Sequence, residues 1–126
     1  MTTTPRTLRL EYSLPDASLR GNSRAHHMAK YRVGKKMRFD AGLMGRDAGH
    51  SYTKARITYH FYHSRKIDLN NLAIGMKLFE DGLVDANVIP DDDPDHLVQG
   101  EHTFTKIRRL LPGHWSRVEI VVEEIA

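Results

Sequence analysis

The chain has 126 residues, of which 40% are hydrophobic and 28% are charged, and its formal net charge is +3. This length is about one domain, and the composition excludes a fibrous or a disordered class. The sequence has no cysteine, which excludes disulfides, thiolate zinc sites and cysteine nucleophiles, so any metal must be held by oxygen or imidazole.

Membrane insertion and secretion are not expected for this chain. No apolar run approaches the roughly 20 residues that span a bilayer, and the opening residues lack the apolar stretch of a signal peptide. The sequence therefore predicts a cytoplasmic protein with no membrane partner.

Charge is distributed unevenly along the chain. Residues 1–66 carry 14 Lys/Arg and 4 Asp/Glu, whereas residues 67–126 carry 5 and 12. A basic surface attracts polyanions, and an acidic cluster repels them unless divalent cations neutralise it. The combination is typical of a metal-using nuclease, although accidental clustering on a solvated surface explains the charge alone equally well.

The first half of the chain predicts a strand, a polar connection and a helix. Residues 1–5 have the character of a disordered tail, and alternation then predicts a strand with Leu8, Leu10, Tyr12 and Leu14 on one face. Residues 15–24 are rich in turn formers. Residues 25–45 predict a basic amphipathic helix, weakened or interrupted at Gly34, with an apolar stripe of Met28, Val33, Met37, Ala41 and Met44.

The second half predicts a strand, a helix, an acidic loop and a hairpin. Residues 53–63 alternate as a strand, and Asp68 stands at the N-cap of a helix whose buried stripe is Leu69, Leu72, Met76, Phe79 and Leu83. The acidic loop spans residues 90–96, and a hairpin follows with strands at 104–110 and 115–125 around a turn at 111–114. The order β-α-β-α-β-β predicts one α+β domain over residues 1–126, with two principal helices and a mixed or mainly antiparallel sheet.

Two acidic segments carry the candidate chemistry. Asp68 follows a strand that ends in cations, and four carboxylates lie within residues 91–95. Carboxylate oxygens suit hard cations such as Mg²⁺ and Mn²⁺, and phosphodiester cleavage uses metal-bound water as its nucleophile. Each segment also has a simpler explanation, because Asp68 can serve only as a helix cap and the acidic loop only as solvated surface.

Lys77 lies on the helix between these two acidic segments. Its ammonium group can neutralise transition-state charge, or it can form a surface pair with Asp81 one turn further along. Of the eight histidines, only His96 is a candidate to assist the acidic site, and the others are interpreted as solvated or DNA-facing.

The central segment resembles the signature of the RusA-like Holliday junction resolvases. The residues that carry this resemblance are the helix start at 68–72, Lys77, the segment from Asp81 and the run 90–96. Residues 14–24 resemble the opening loop of the same family, so the resemblance covers most of the chain. It implies a small α+β homodimer, often encoded by prophages, that uses Mg²⁺ or Mn²⁺ to cut four-way DNA junctions in recombination and repair.

The resemblance also assigns roles to individual residues. It implies catalytic roles for Asp68, Asp92 and Lys77, and metal ligands at Asp68, Asn70, Asp91 and Asp92. DNA contacts are expected from the cations and amides of the first half and the central helix start, namely Arg20, Asn22, Arg24, Lys30, Lys35, Lys36, Arg65, Lys66 and Asn71.

Two positions depart from the family pattern. Asn70 stands where the family usually has its second carboxylate, which leaves Asp93 or Asp95 as candidates to restore the charge. The family lysine often lies nearer the first aspartate, where this chain has Ile74. Two other functions therefore stay open: a non-catalytic DNA-binding protein with a degenerate acidic site, and a small cation-binding or toxin-like protein.

Overall fold

Five strands and three α-helices form the part of the chain that the structure describes, a computed structural model covering residues 6–21, 24, 27–108 and 115–125. The strands are β1 (Thr7–Tyr12), β2 (Ala55–His63), β3 (Leu97–Gln99), β4 (Thr103–Lys106) and β5 (Arg117–Glu124). The helices are α1 (His27–Ala48), α2 (Leu69–Ile74) and α3 (Lys77–Asp85), and a 3₁₀ turn spans Ala17–Leu19. Residues 1–5, Asn22, Ala25 and the turn predicted at 111–114 lie outside the described residues.

The strands form one mixed sheet, which confirms the predicted α+β class. Strand order is β1-β5-β2-β3, and β4 also pairs with β2. Strand β5 is antiparallel to both β1 and β2, whereas β3 and β4 run parallel to β2. Strand β2 is therefore the centre of the sheet, with β5 along one edge and the short strands β3 and β4 in succession along the other.

The predicted C-terminal hairpin is wrong. Strands β4 and β5 do not pair with each other, because β2 lies between them and hydrogen-bonds to both. Alternating sequence identifies residues that fit a pleated surface but does not name the neighbouring strand. Strand β2 has nine residues and pairs with β5 along one edge and with β3 and β4 in succession along the other.

Helix α1 is continuous through Gly34, contrary to the predicted interruption. Gly34 is buried, and a Cβ atom added there would lie 2.3 Å from Leu78 Cδ1 of α3. The glycine therefore permits close helix packing and does not end the helix. The predicted stripe is correct at Met37 and Ala41, but Met28 is 47% exposed and does not belong to it.

The second predicted helix is divided into α2 and α3 at Gly75 and Met76. Its apolar stripe is confirmed at Leu72, Met76, Phe79 and Leu83, which are fully buried, whereas Leu69 is only partly buried. These side chains pack with Met37 and Ala41 of α1 and with the buried face of the sheet, which is formed by Ala55, Ile57, Tyr59, Phe61, Val118, Ile120 and Val122. No helix in the described part of the chain is long and apolar enough to cross a membrane.

Candidate active site

The strand-to-helix junction presents Asp68 as predicted, at the N-cap of α2. Its backbone is extended, and one carboxylate oxygen accepts a hydrogen bond from the backbone N–H of Asn71 at 3.2 Å. Asp68 is exposed, so this cap does not withdraw the carboxylate from solvent. The capping role is therefore present in the structure, and it leaves the second oxygen available to a ligand.

Lys77 connects helix α3 with the acidic loop. Its ammonium group lies 3.0 Å from a carboxylate oxygen of Asp81, one turn along the helix, and also forms an ion pair with Asp92. The Lys77 side chain remains 60% exposed. Both interpretations of Lys77 from the sequence thus describe a contact that exists: the surface pair with Asp81, and a cation next to the acidic loop.

The acidic loop is held by its own side chains. Asp91 accepts the backbone N–H of Asp92 at 2.7 Å. Asp93 accepts the backbone N–H groups of Asp95 and His96 at 3.0 and 3.1 Å, and it lies 2.7 Å from the His96 ring nitrogen Nδ1. Side-chain bonds of this kind fix turns. Asp93 and His96 are therefore explained by loop structure.

A depression of about 590 Å³ lies where helices α2 and α3 face the end of β3 and the segment that follows it. Its lining combines apolar surface with amide, carboxyl, imidazole and ammonium groups, contributed by Asn70, Ala73, Ile74, Lys77, Glu80, Gln99 and His102. This volume falls in the range of roughly 300–1,000 Å³ that is usual for ligand sites. Two residues predicted for the site, Asn70 and Lys77, lie in its wall.

Glu80 is the residue of this depression that sequence reasoning missed. Only 7% of it is exposed, and its Oε2 atom accepts hydrogen bonds from the Tyr59 hydroxyl and from the Gln99 amide, the latter at 3.2 Å. A signal was present in the sequence, because Met76, Glu80 and Leu83 occupy positions i, i+4 and i+7 of one helical face. A carboxylate within an otherwise apolar stripe indicates a buried charge with a specific partner.

His102 and Gln99 complete a closed hydrogen-bond network around Glu80. The backbone N–H of Tyr59 donates to His102 Nδ1 at 3.0 Å, so Nδ1 must be unprotonated. His102 Nε2 then donates to the Gln99 side-chain oxygen at 2.9 Å, and Gln99 in turn donates to Glu80. Each polar group of the network has one defined role, which fixes the orientation of the Glu80 carboxylate.

Burial shifts the pKa values of Glu80 and His102 in opposite directions. Loss of solvent raises the pKa of Glu80 above its usual value, against the lowering effect of the hydrogen bonds from Tyr59 and Gln99 and of the charge on Lys77. Loss of solvent lowers the pKa of His102, and the nearby His60 lowers it further. Both shifts follow from the same cause, since a low dielectric disfavours the charged form of either group.

The predicted metal ligands are brought together only in part. Asn70 lines the depression and Asp92 reaches Lys77 in its wall, but no three Asp, Glu or His side chains among residues 6–21, 24, 27–108 and 115–125 converge on one point. A Mg²⁺ site usually has one or two carboxylates and is completed by water and substrate phosphate. The available donors, carboxylate and amide oxygens, have the chemistry that such a cation requires.

The predicted DNA-contacting residues of α1 do not share one face of that helix. Lys30, Lys35 and Lys36 project from α1 in different directions, because successive residues of a helix are rotated by about 100°. Lys36 pairs with Asp40 at 2.6 Å, and the Arg20 side chain donates to the carbonyl of Pro15 at 3.1 Å. The remaining described members are at least partly accessible, namely Arg24, Arg65, Lys66 and Asn71, and Asn22 lies outside the described residues.

Comparison with known proteins adds no identification to this geometry. The sequence matches no protein-family model and no curated protein sequence.

Proposed function

We propose that this chain is a metal-dependent endodeoxyribonuclease of the RusA-like type that cuts four-way DNA junctions. The observation that supports the proposal is the ion pair between Lys77 and Asp92, which joins the acidic loop to the helical segment that begins at Asp68. This contact brings the acidic loop to Lys77, a residue that also lines the ligand-sized depression.

Four side chains would hold Mg²⁺, or Mn²⁺ in its place: Asp68, Asn70, Asp91 and Asp92. When bound, the cation supplies Lewis acidity and lowers the pKa of coordinated water. The chain's own contribution is to orient the substrate. The Lys77 ammonium is positioned to exchange a carboxylate for a phosphate oxygen, and exposed cations such as Lys35 and Arg65 bind the DNA backbone irrespective of sequence.

A homodimer in the cytoplasm is part of the proposal. A four-way junction has two-fold symmetry, and two symmetric cuts need two sites that a two-fold axis relates. Each protomer would hydrolyse one strand.

A second candidate is a DNA-binding protein of the same fold without cleavage activity. Two observations favour it. Asn70 contributes no charge to the site, and the carboxylate of Asp92 is already neutralised by the ammonium of Lys77. Such a protein would bind junctions through its cations with the same salt dependence and leave the strands intact.

Labelled four-way junctions incubated with and without Mg²⁺ or Mn²⁺ test the two candidates against each other. The endonuclease requires metal-dependent cuts at the junction and little cutting of a duplex of the same sequence. Asp92→Asn should abolish cutting while binding persists or tightens, because the substitution removes a charge that repels phosphate. Intact junctions at every metal concentration, with binding preserved, would instead identify the non-catalytic protein.

A further inference from the structure

We propose that Glu80 is a metal ligand of the depression and that its carboxylate supplies the charge that Asn70 lacks. The inference rests on the proposed function, because it names an additional ligand for the divalent cation of that endonuclease. Asn70 and Glu80 come from different helices, α2 and α3, and both line the same depression. Both side chains therefore border the same space.

The two oxygens of Glu80 have different surroundings. Oε2 accepts from Tyr59 and Gln99, whereas no described residue donates to Oε1. Within the described part of the chain, the buried side-chain polar atom that lacks a partner is Ser18 Oγ, so Glu80 Oε1 is not sealed from solvent. Glu80 lines the depression, and Oε1 is the oxygen that its hydrogen bonds leave for a ligand there.

This arrangement is how proteins commonly hold a ligating carboxylate. One oxygen is fixed by hydrogen bonds from surrounding groups, and the other is left to the metal. The network extends beyond Glu80, because His102 orients Gln99 and the backbone of Tyr59 orients His102. Glu80 Oε1 therefore projects in a direction that the folded chain determines.

Among the residues that the structure describes, no cation forms an ion pair with Glu80. Lys77 acts on it electrostatically, but the Lys77 ammonium is paired with Asp81 and Asp92. Partial burial disfavours the charged form of Glu80, and a cation beside its second oxygen would stabilise that form. A divalent cation in the depression would supply this stabilisation, whereas an apolar ligand would not.

The acidic loop is a poorer source of the missing charge. Asp93 is occupied by His96 and by two backbone N–H groups, and Asp95 is exposed. Neither residue lines the depression. Asp93, Asp95 and Glu80 are the three carboxylates that could replace a charge at position 70. Of these, only Glu80 lines the same depression as Asn70.

Binding of Mn²⁺ to the protein tests the proposal without reference to activity. Free Mn²⁺ is counted by electron paramagnetic resonance during titration of the wild type, Glu80→Gln, Asn70→Asp and the double variant. Glu80→Gln should weaken binding at least about tenfold, in line with the roughly 10–100-fold losses seen when metal-site groups are removed. Adding Asn70→Asp to Glu80→Gln should restore affinity to within about threefold of wild type, because it returns one charge to the same space.

Asp95→Asn is the matched control, since it removes one negative charge from the neighbouring loop without touching the depression. Its Mn²⁺ affinity should stay within about twofold of wild type if general electrostatics contribute little at an exposed site. Equal losses in Glu80→Gln and Asp95→Asn would overturn the assignment. So would a double variant that binds no better than Glu80→Gln.

A measurement on the wild type keeps the test independent of how the variants fold. Substoichiometric Mn²⁺ should broaden the nuclear magnetic resonance signals of the Gln99 side-chain amide and the His102 ring before the backbone amide signal of Asp95. Gln99 and His102 signals that stay sharp while the Asp95 amide broadens would locate the cation in the acidic loop away from Glu80 and refute the role of Glu80.

Junction cutting assayed in parallel separates this inference from the proposed function. Junctions that are cut normally by a Glu80→Gln protein with wild-type Mn²⁺ affinity would refute the ligand assignment alone. Absence of cutting, together with the predicted loss and rescue of Mn²⁺ binding, would refute the endonuclease and support the ligand assignment.

Discussion

Lys77 and Asp92 form an ion pair between the first residue of helix α3 and the acidic loop that follows the end of that helix. The same ammonium group also contacts Asp81 within the helix. Lys77 thus lies between two carboxylates and also lines the depression. In this position its ammonium group can neutralise either a carboxylate or a phosphate bound nearby.

Replacing Lys77 by Ala separates its structural contribution from its function. Lys77 itself is 60% exposed and its ion pairs are open to solvent on that side, so unfolding by urea should show a loss of no more than about 1 kcal/mol. Junction cutting should fall by at least about a hundredfold, in the range that positioned charges contribute to phosphoryl chemistry. Lys54→Ala removes a charge from a residue that does not line the depression and should cut normally; equal activity in the two variants would exclude the role of Lys77.

Replacing Lys35 and Lys36 together by Ala should weaken binding to junctions and duplexes alike. Each lost phosphate contact reduces the slope of log K against log salt by just under one unit, so the double variant should lose up to about two units. Lys36 is already paired with Asp40, so Lys35→Ala alone should account for more than half of the change. Filter-binding titrations at several salt concentrations measure the slope, and an unchanged slope would place this part of α1 away from DNA.

The contact between α1 and α3 requires a glycine at position 82. A Cβ atom there would lie 2.3 Å from the carbonyl oxygen of Arg38 and 2.6 Å from Ala41 Cβ. Gly82→Ala should therefore lower the free energy of unfolding by roughly 1–3 kcal/mol through overpacking. Gly42→Ala is the control, since its nearest neighbours would be 3.6 Å away and the helix gains up to about 1 kcal/mol of propensity. Chemical denaturation of both variants should show opposite signs.

His102 should make stability depend on pH. Burial holds its pKa below the ordinary 6.5, so below that pH the unfolded chain binds a proton that the folded chain does not. The contribution of His102 is complete above pH 6.5 and is lost as the pH falls, because protonation of Nδ1 removes the acceptor for the Tyr59 N–H. His102→Asn keeps an acceptor but does not titrate, so urea midpoints measured between pH 5 and 8 should decline less steeply for the variant.

Much of the fold follows from periodicity in the sequence. The stripe of Leu72, Met76, Phe79 and Leu83 and the alternation from Ala55 to Phe61 identify buried faces correctly, because burial is a local property of each element. Strand partners are not local. The parallel pairing of β3 and β4 with β2 depends on which edge of β2 is not taken by β5, and a three-residue strand such as β3 has almost no periodicity to detect.

The sequence predicts those parts of the candidate site whose positions follow from residue spacing along one helical segment. Asp68 at the N-cap and Lys77 beside Asp81 follow from spacing along one helix. The Glu80 network does not, since it joins a helix, the central strand and the segment after β3 through residues as distant as Tyr59 and His102. Only the folded sheet brings these groups within hydrogen-bond distance.

The position of β5 has a consequence for how the chain folds. This strand comes last among the described elements, yet it lies between β1 and β2, and its register joins Thr7 with Glu123. Until residues 117–124 have left the ribosome, β1 has no strand partner within the described fold and β2 exposes an open edge, which is a template for aggregation. Pairings of such long sequence separation form slowly. Nascent chains that stop before residue 117 should therefore remain sensitive to protease, and cooperative folding should begin only once the final strand has emerged.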